Sequence, residues 1–282
     1  MIKNITLVVF IALVLVNWLI KSNKTPDIAK ETGVLKVHYI DVGQADCTLI
    51  KTDSAVMLID GGNTDDSAKI TGYLRNNGVE KIDIVIATHP HEDHIGGLAE
   101  IIRKFEIGKI YMPKAQANTA AYERLLRAVQ EKGLKITTAK AGTVFELDHD
   151  TKCEIYSPIK DMYEEINSYS VVLKMTYGHT TFLFTGDIGT DGEFEMMEAG
   201  FNLNADVLKV AHHGSKYSSS EEFLKAVTPE YAIIFVGANN DYYYPHEKAM
   251  ERLDGAKVYR TDLSGTIVIT SDGEALSIKE EK

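Results

Sequence analysis

Residues 87–98 read ATHPHEDHIGGL, and they place His89, His91, Asp93 and His94 within six positions. Neutral imidazoles and carboxylates are the ligands that zinc, manganese and iron take from proteins. Four such groups on one short loop exceed what a single ion draws from one segment, so the loop is expected to serve two cations lying close together. Buried without metal, the cluster would cost too much to keep. Two later segments offer the complement. FLFTGD ends in Asp187, a carboxylate whose two oxygens could each hold one cation, although an N-cap role for the next helix competes. LKVAHHGS delivers His212 and His213, whose side chains must point different ways, so one is expected to ligate and the other to support it or touch substrate. Asp60 in MLIDGGN could orient a ligand histidine by hydrogen bonding. Asp41 and Asp46 flank Gly43-Gln44 in DVGQAD, where a plain turn and a functional role weigh equally. Tyr244-Pro245-His246 opens a helix whose free N–H groups, with the imidazole, could meet a phosphate. His38, His149 and His179 have no companions and read as structural.

Each group needs an element to aim it. Apolar runs at 34–40, 47–51, 56–60 and 82–88 read as strands, the last feeding straight into the histidine loop. Helical patterns at 66–76, 95–104 and 118–132 alternate with strands near 109–112 and 134–138. A second block repeats this grammar: a hairpin at 171–177 and 181–185, helices at 192–199, 220–227 and 247–253, and strands at 206–210, 231–236, 257–260, 266–270 and 275–278. Two β-rich halves with helices outside predict an α/β fold of four layers, helix–sheet–sheet–helix (αββα), with strand ends from both halves converging on one edge. Gly96 and Gly97 leave backbone room where the loop meets its helix.

The chain has 282 residues, 44% hydrophobic and 25% charged, which excludes wholesale disorder. Thirty Lys plus Arg against forty-one Asp plus Glu give a net charge of −11. A chain that acidic does not bind nucleic acid through bulk surface charge, so phosphate contacts must be local. Two cysteines, Cys47 and Cys153, exclude a disulfide-dense scaffold and a Cys-rich zinc site. Residues 5–20 are an almost unbroken apolar run, spanning about 24 Å as a helix against the ~30 Å of a bilayer core. Residues 1–24 therefore read as a signal peptide or membrane anchor. The anchor is favoured, because no small-x-small cleavage pattern and no lipobox cysteine follows. Residues 25–33 read as a tether and 34–282 as the body, held at the membrane or secreted on its extracytoplasmic side.

HPHEDH resembles the HxHxDH signature of the metallo-β-lactamase superfamily, with Asp187 and the His212-His213 pair following in the expected order. DVGQAD, LIDGG, NSYSVVL (167–173), FLFTGD, LKVAHHGS, YPH and RTDLSGTIVI further resemble the carboxyl-terminal hydrolase domain of ComEC-type competence proteins, from about residue 34 to 278. That branch is similar in turn to bacterial phosphorylcholine esterases. The resemblance implies an αββα sandwich, two divalent ions (Zn²⁺ or Mn²⁺) at one rim and phosphodiester hydrolysis, in ComEC the degradation of one DNA strand during uptake. Ala45 stands where the branch usually has glycine. The interval before Asp187 offers only His149 and His179 where many members have a further ligand histidine, with Asn167 and Ser168 near the expected place. ComEC also has many membrane spans and this chain at most one, so translocation is not expected of it.

The expectation is thus a binuclear hydrolase. His89 and His91 hold one ion, Asp93, His94 and one of the 212–213 pair (His213) the other, and Asp187 bridges. A metal-bound hydroxide attacks phosphorus, with Asp93 or His212 relaying the proton. Asp60 and Asn167 support the ligands, while Ser215 and His246 take phosphate oxygens. Expected partners are a phosphodiester, single-stranded DNA among the candidates, and a membrane through the amino-terminal segment, with no obligate protein partner. Two competing readings remain at this level: hydrolysis of a thioester, lactone or β-lactam by the same site, or a non-catalytic module that holds metal or DNA.

Overall fold

The computed structural model describes residues 33–282, so the segment 1–24 and nearly all of the tether lie outside the described residues. Fifteen strands are described: β1 (Leu35–Tyr39), β2 (Thr48–Lys51), β3 (Val56–Ile59), β4 (Lys81–Ile86), β5 (Glu106–Met112), β6 (Ile136–Thr138), β7 (Val144–Asp148), β8 (Thr151–Ser157), β9 (Val172–Tyr177), β10 (Thr180–Phe184), β11 (Val207–Lys209), β12 (Tyr231–Ile234), β13 (Lys257–Arg260), β14 (Ile267–Ser271) and β15 (Leu276–Glu280). They form an eight-stranded sheet in the order β15-β14-β1-β2-β3-β4-β5-β6 and a seven-stranded sheet in the order β13-β12-β11-β10-β9-β8-β7. Each sheet has an antiparallel part and a parallel part, which meet at β3–β4 in the first and β10–β11 in the second.

Side-chain alternation builds the layers. Met57 and Ile59 face the second sheet while Leu58 faces the helices of the first; Phe182 and Phe184 point inward while Leu183 meets the helices of the second. One apolar cluster lies between the sheets and one lies under the helices on either side, which is the expected αββα order. Helices Ser67–Asn76, Leu98–Lys104 and Ala120–Glu131 cover the first sheet, and Thr190–Glu198 and Glu221–Val227 the second. Ligands of α/β sheets gather beyond the carboxyl ends of parallel strands. Here those ends carry Asp60 after β3, Thr88 and His89 after β4, Asp187 after β10 and His212-His213 after β11.

The histidine loop is tighter than its sequence predicts. A one-turn helix, Glu92–Ile95, already contains Asp93 and His94, and the longer helix starts afresh at Leu98. Gly96 and Gly97 lie so close to residues 61–64 that a Cβ on either would overlap that backbone. The hairpin β7–β8 has no counterpart among the sequence expectations. Among the described residues no helix is long and apolar enough to cross a membrane.

Candidate metal centre

Hydrogen bonds behind the imidazoles decide which lone pairs face the rim. Thr88 donates its hydroxyl to Asp60 Oδ2 at 2.7 Å, so toward His89 Nδ1, 3.1 Å away, that oxygen can only accept. The His89 proton therefore sits on Nδ1 and the Nε2 lone pair points into the rim. His94 Nδ1 donates to Asp60 Oδ2 at 2.7 Å, which frees its Nε2. His213 Nδ1 donates to the Phe235 carbonyl at 3.0 Å, which frees its Nε2 as well. Asp60 is itself fixed, because its Oδ1 accepts the Thr88 N–H at 2.8 Å.

The freed atoms converge on one oxygen. Asp187 Oδ2 lies 3.3 Å from His94 Nε2, 3.7 Å from His213 Nε2, 3.9 Å from His212 Nε2 and 4.0 Å from His89 Nε2. Oδ1 turns away toward the Lys209 ammonium, 3.7 Å off, and only Oδ2 is central. Asp93 Oδ2 stands 3.3 Å from His213 Nε2, and His89 Nε2 stands 3.1 Å from His91 Nδ1.

These spacings fit a cation. Nitrogen ligands 2.0–2.1 Å from a tetrahedral ion stand about 3.3 Å from one another. Ligand atoms of Asp93, His94, Asp187 and His213 all lie within 4.8 Å of each other. His94 Nε2 and Asp187 Oδ1 are buried with no hydrogen-bond partner. Asp46, Asp60 and His94 also gather, but His94 Nδ1 is already given to Asp60 and Asp46 is paired with Lys209. That trio is the support behind the site.

Charge tells the same story. Burial works against a proton on His94, yet the carboxylates of Asp187, Asp60, Asp93 and Asp46 outweigh it and hold the imidazole well above its ordinary value. Burial likewise opposes protonation of His213, and Asp187 with Asp93 outweighs it. Burial would raise Asp187, but His94, His213 and Lys209 hold it well below the usual carboxylate range. His89, where burial and the neighbouring His94 act together, is pushed down and stays neutral. Without metal, the rim carboxylates keep protons where cations would otherwise sit.

Sequence reasoning overlooked one group. Lys209 is 2% exposed, its ammonium ion-pairs with Asp46 and donates to the Gly186 carbonyl at 2.8 Å. Burial lowers its basicity, but Asp46 and Asp187 more than restore it. Asp46 comes from the turn between β1 and β2, so the pair joins the two sheets directly beneath the ligands. Alternation along β11 was the available signal: Val207 faces inward and Leu208 outward, so Lys209 must face inward, where an ammonium needs a partner.

The remaining candidates divide. His212 and His213 both adopt left-handed backbone, φ 50° and 52°, which splays the rings apart. Only His213 is buried among the ligands. His212 is partly exposed, with Nε2 3.4 Å from the Tyr244 hydroxyl and Nδ1 3.5 Å from Asn167 Nδ2. A cleft of about 320 Å³ opens over the site, lined by Gln44, His91, Glu92, Asp93, Asn167, Asp187 and the pairs His212/His213 and Tyr242/Tyr244. Ser215 and His246 are not brought into it. The Ser215 hydroxyl is buried and accepts the Tyr217 N–H at 3.3 Å, and His246 Nδ1 accepts the Lys216 N–H at 3.0 Å. Both groups hold the loop that follows the ligand histidines, so phosphate contacts are not assigned to them. His38 bonds the Tyr73 hydroxyl at 2.9 Å, while His149 and His179 pair with Asp150 and Glu274 on the surface.

Residues 40–238 match the family model described as the metallo-beta-lactamase superfamily. The chain belongs to that superfamily. Among curated relatives, it is 32% identical over 252 residues to ComE operon protein 3 of Bacillus subtilis (strain 168), covering 82% of this chain and 32% of that one. It is 32% identical over 233 residues to competence protein ComA of Neisseria gonorrhoeae, covering 80% of this chain and 31% of the relative. It is 25% identical over 258 residues to ribonuclease J of Synechocystis sp., covering 83% of this chain and 37% of that protein. The chain thus spans about a third of the length of these three relatives, and the ComEC-type resemblance holds within that third. Of solved structures, the metallo-β-lactamase fold protein YhfI from Bacillus subtilis superposes with a TM-score of 0.58 at 15% identity, covering 84% of this chain and all of that one. That match speaks for the fold. A superfamily hydrolase with clustered divalent-metal ligands follows from these findings together.

Proposed function

We propose that this chain is a phosphodiesterase dependent on two divalent cations, Zn²⁺ or Mn²⁺, with single-stranded DNA as its substrate class. The observation that carries the reading is Asp187 Oδ2, ringed by four imidazole nitrogens at 3.3–4.0 Å in a cleft whose lining includes no Lys or Arg. An anionic diester entering such a cleft needs positive charge, and the site is built to take that charge from ions. Support comes from ribonuclease J, by its name an enzyme that cleaves a nucleic-acid phosphodiester, and from the ComEC resemblance, which implies DNA.

In this reading His89 and His91 would hold one ion and Asp93, His94 and His213 the other, with the Asp187 carboxylate available to both. Such ions supply Lewis acidity at the phosphoryl oxygens and a nucleophile from water near neutral pH. Asp60 keeps the Nδ1 proton of His94 in place, and Thr88 does the same for His89. His212 remains free of such a task. Burial raises the Tyr244 pKa, so its hydroxyl keeps its proton and donates to His212 Nε2. If the Asn167 amide is turned so that its otherwise unpartnered Oδ1 faces His212, the Nδ1–H donates to it. Burial keeps His212 neutral, so its Nε2 would act as a base and take a proton from the incoming water, with Asp93 as the second relay. Asn167 acts on His212 and not on a ligand. We further infer that 1–24 anchors the body on the extracytoplasmic side, which alkaline extraction of membranes tests: release of the full chain into the supernatant refutes the anchor.

The deciding experiment gives the purified chain bis(p-nitrophenyl) phosphate with Mn²⁺ or Zn²⁺, beside a lactone, a thioester and a β-lactam. Diester cleavage that chelation, His91→Ala and Asp187→Ala each abolish supports the assignment. Turnover of only the carboxylic substrates, or diesterase activity that survives chelation, sinks it.

A further inference from the structure

The cleft wall carries a column of rings that the ligand set does not use. Tyr244 lies nearly parallel to His213, centroids 6.2 Å apart at 24°, and Tyr242 stacks on Tyr244 at 5.5 Å and 15°. The column starts at a ligand imidazole and ends on a ring that is 63% exposed. Beside it Tyr243 is 86% exposed and held at φ 58°, in the left-handed region that bulky residues avoid. Strain of that kind persists where the surroundings enforce it, and burial of the Tyr243 side chain gives nothing in return.

The surroundings are rigid. Asn240 Nδ2 donates to the carbonyls of Gly237 at 3.0 Å and Tyr244 at 2.8 Å, and its Oδ1 accepts the Tyr244 N–H at 2.9 Å. Gln44 Oε1 accepts the Gly237 N–H at 3.1 Å, which ties the loop to the β1–β2 turn of the other sheet. Tyr244, half-buried, therefore backs the exposed Tyr242 ring at the mouth of the site, so little ordering entropy is lost when something stacks on that ring. The same lining offers amides at Gln44 and Asn167 but no Lys or Arg, and Lys209 below it is buried and paired. A strand held along its phosphates needs a track of exposed cations, which this cleft lacks.

We propose that Tyr242 and Tyr244 form a stacking platform for a nucleobase next to the scissile diester, so that this chain grips single-stranded nucleic acid by its bases and not by its backbone charge. The proposal rests on the phosphodiesterase reading above. Stacking of this kind tolerates any base, since every base has a π-face, and releases few counterions.

The test is fluorescence anisotropy on the full chain in Ca²⁺, with a labelled oligothymidylate of about eight nucleotides. Its comparisons are an abasic strand of equal phosphate number and thymidine 5′-monophosphate as competitor. The base-bearing strand is expected to bind about tenfold more tightly than the abasic one. Raising NaCl from about 50 to about 200 mM should weaken it less than about threefold, as for a single phosphate contact. Tyr242→Ala should erase the base preference and Tyr242→Trp keep it. Equal binding of the abasic strand, a steep salt dependence, or an intact preference in Tyr242→Ala overturns the platform. Competition by the monophosphate as strong as by the strand overturns the assignment to strands. Cleavage of bis(p-nitrophenyl) phosphate by the same preparation keeps the two proposals apart. A base preference without cleavage removes the phosphodiesterase and leaves the platform, and cleavage without base preference does the reverse.

Discussion

The two sheets supply the metal rim in opposite ways. The first packs His89, His91, Asp93 and His94 into one loop after β4, held by glycine contacts and a one-turn helix. The second contributes single residues from separate strand ends, Asp187 after β10 and His213 after β11, the latter through two consecutive left-handed residues. A local cluster keeps most of its geometry as long as its loop survives. A dispersed set is correct only when the sheets stand in register, and Lys209 with Asp46 is the bond between the sheets beneath it.

Breaking the dispersed half at its centre should have the largest effect. Asp187→Ala is expected to reduce bound divalent metal and diesterase activity to background while the circular dichroism spectrum stays native, since the first loop is untouched. A native metal content in that variant would show that the first loop suffices alone. Next comes the bond between sheets. Lys209→Met strands the Asp46 carboxylate in the interior and should cost about 3–5 kcal/mol in urea unfolding of the metal-free chain. Adding Asp46→Asn should recover a large part of that loss, and strictly additive penalties would mean the two side chains do not act as a pair. Support within the first half is worth less. Asp60→Asn loosens the His94 and Thr88 hydrogen bonds, and equilibrium metal titration should show affinity falling roughly 10–100-fold.

The smallest expected effect sits in the first sheet away from the rim. Burial, reinforced by Lys51 and Lys36, pushes the His38 pKa from 6.5 down to about 4. The unfolded chain then binds a proton over an interval in which the folded one does not, so stability rises with pH there. The contribution is complete above about 6.5 and lost as pH falls toward about 4. His38→Gln should flatten that limb of the stability curve, and an unchanged slope would assign it to other groups.

Legibility in the sequence followed the same divide. HPHEDH could be read outright, because six adjacent positions show both residue type and spacing. Asp187 and the histidine pair could be read as candidates, since each follows an apolar strand. What alternation does not encode is backbone handedness: at φ 50° and 52° the two rings splay, His213 into the buried rim and His212 partly exposed. The hairpin β7–β8 is marked not by a continuous apolar run but by alternation, with Phe145, Leu147, Cys153 and Ile155 inward between Glu146, Asp148, Lys152 and Glu154, a pattern that a search for apolar runs passes by. Ser215 and His246 suit phosphate by type, whereas the Ser215 hydroxyl accepts the Tyr217 N–H, His246 Nδ1 accepts the Lys216 N–H, and neither residue lines the cleft. Lys209 was passed over as one charge within an apolar run, though its inward register demanded a partner.

That lysine also sets an order of events. One positive charge among the rim carboxylates is synthesised with the polypeptide, so part of the anionic repulsion is cancelled before any ion is encountered. That fixed cation lowers the cost of assembling the rim before an ion arrives, so a chelated chain is expected to unfold in urea as one cooperative unit, at lower denaturant than the metal-loaded chain.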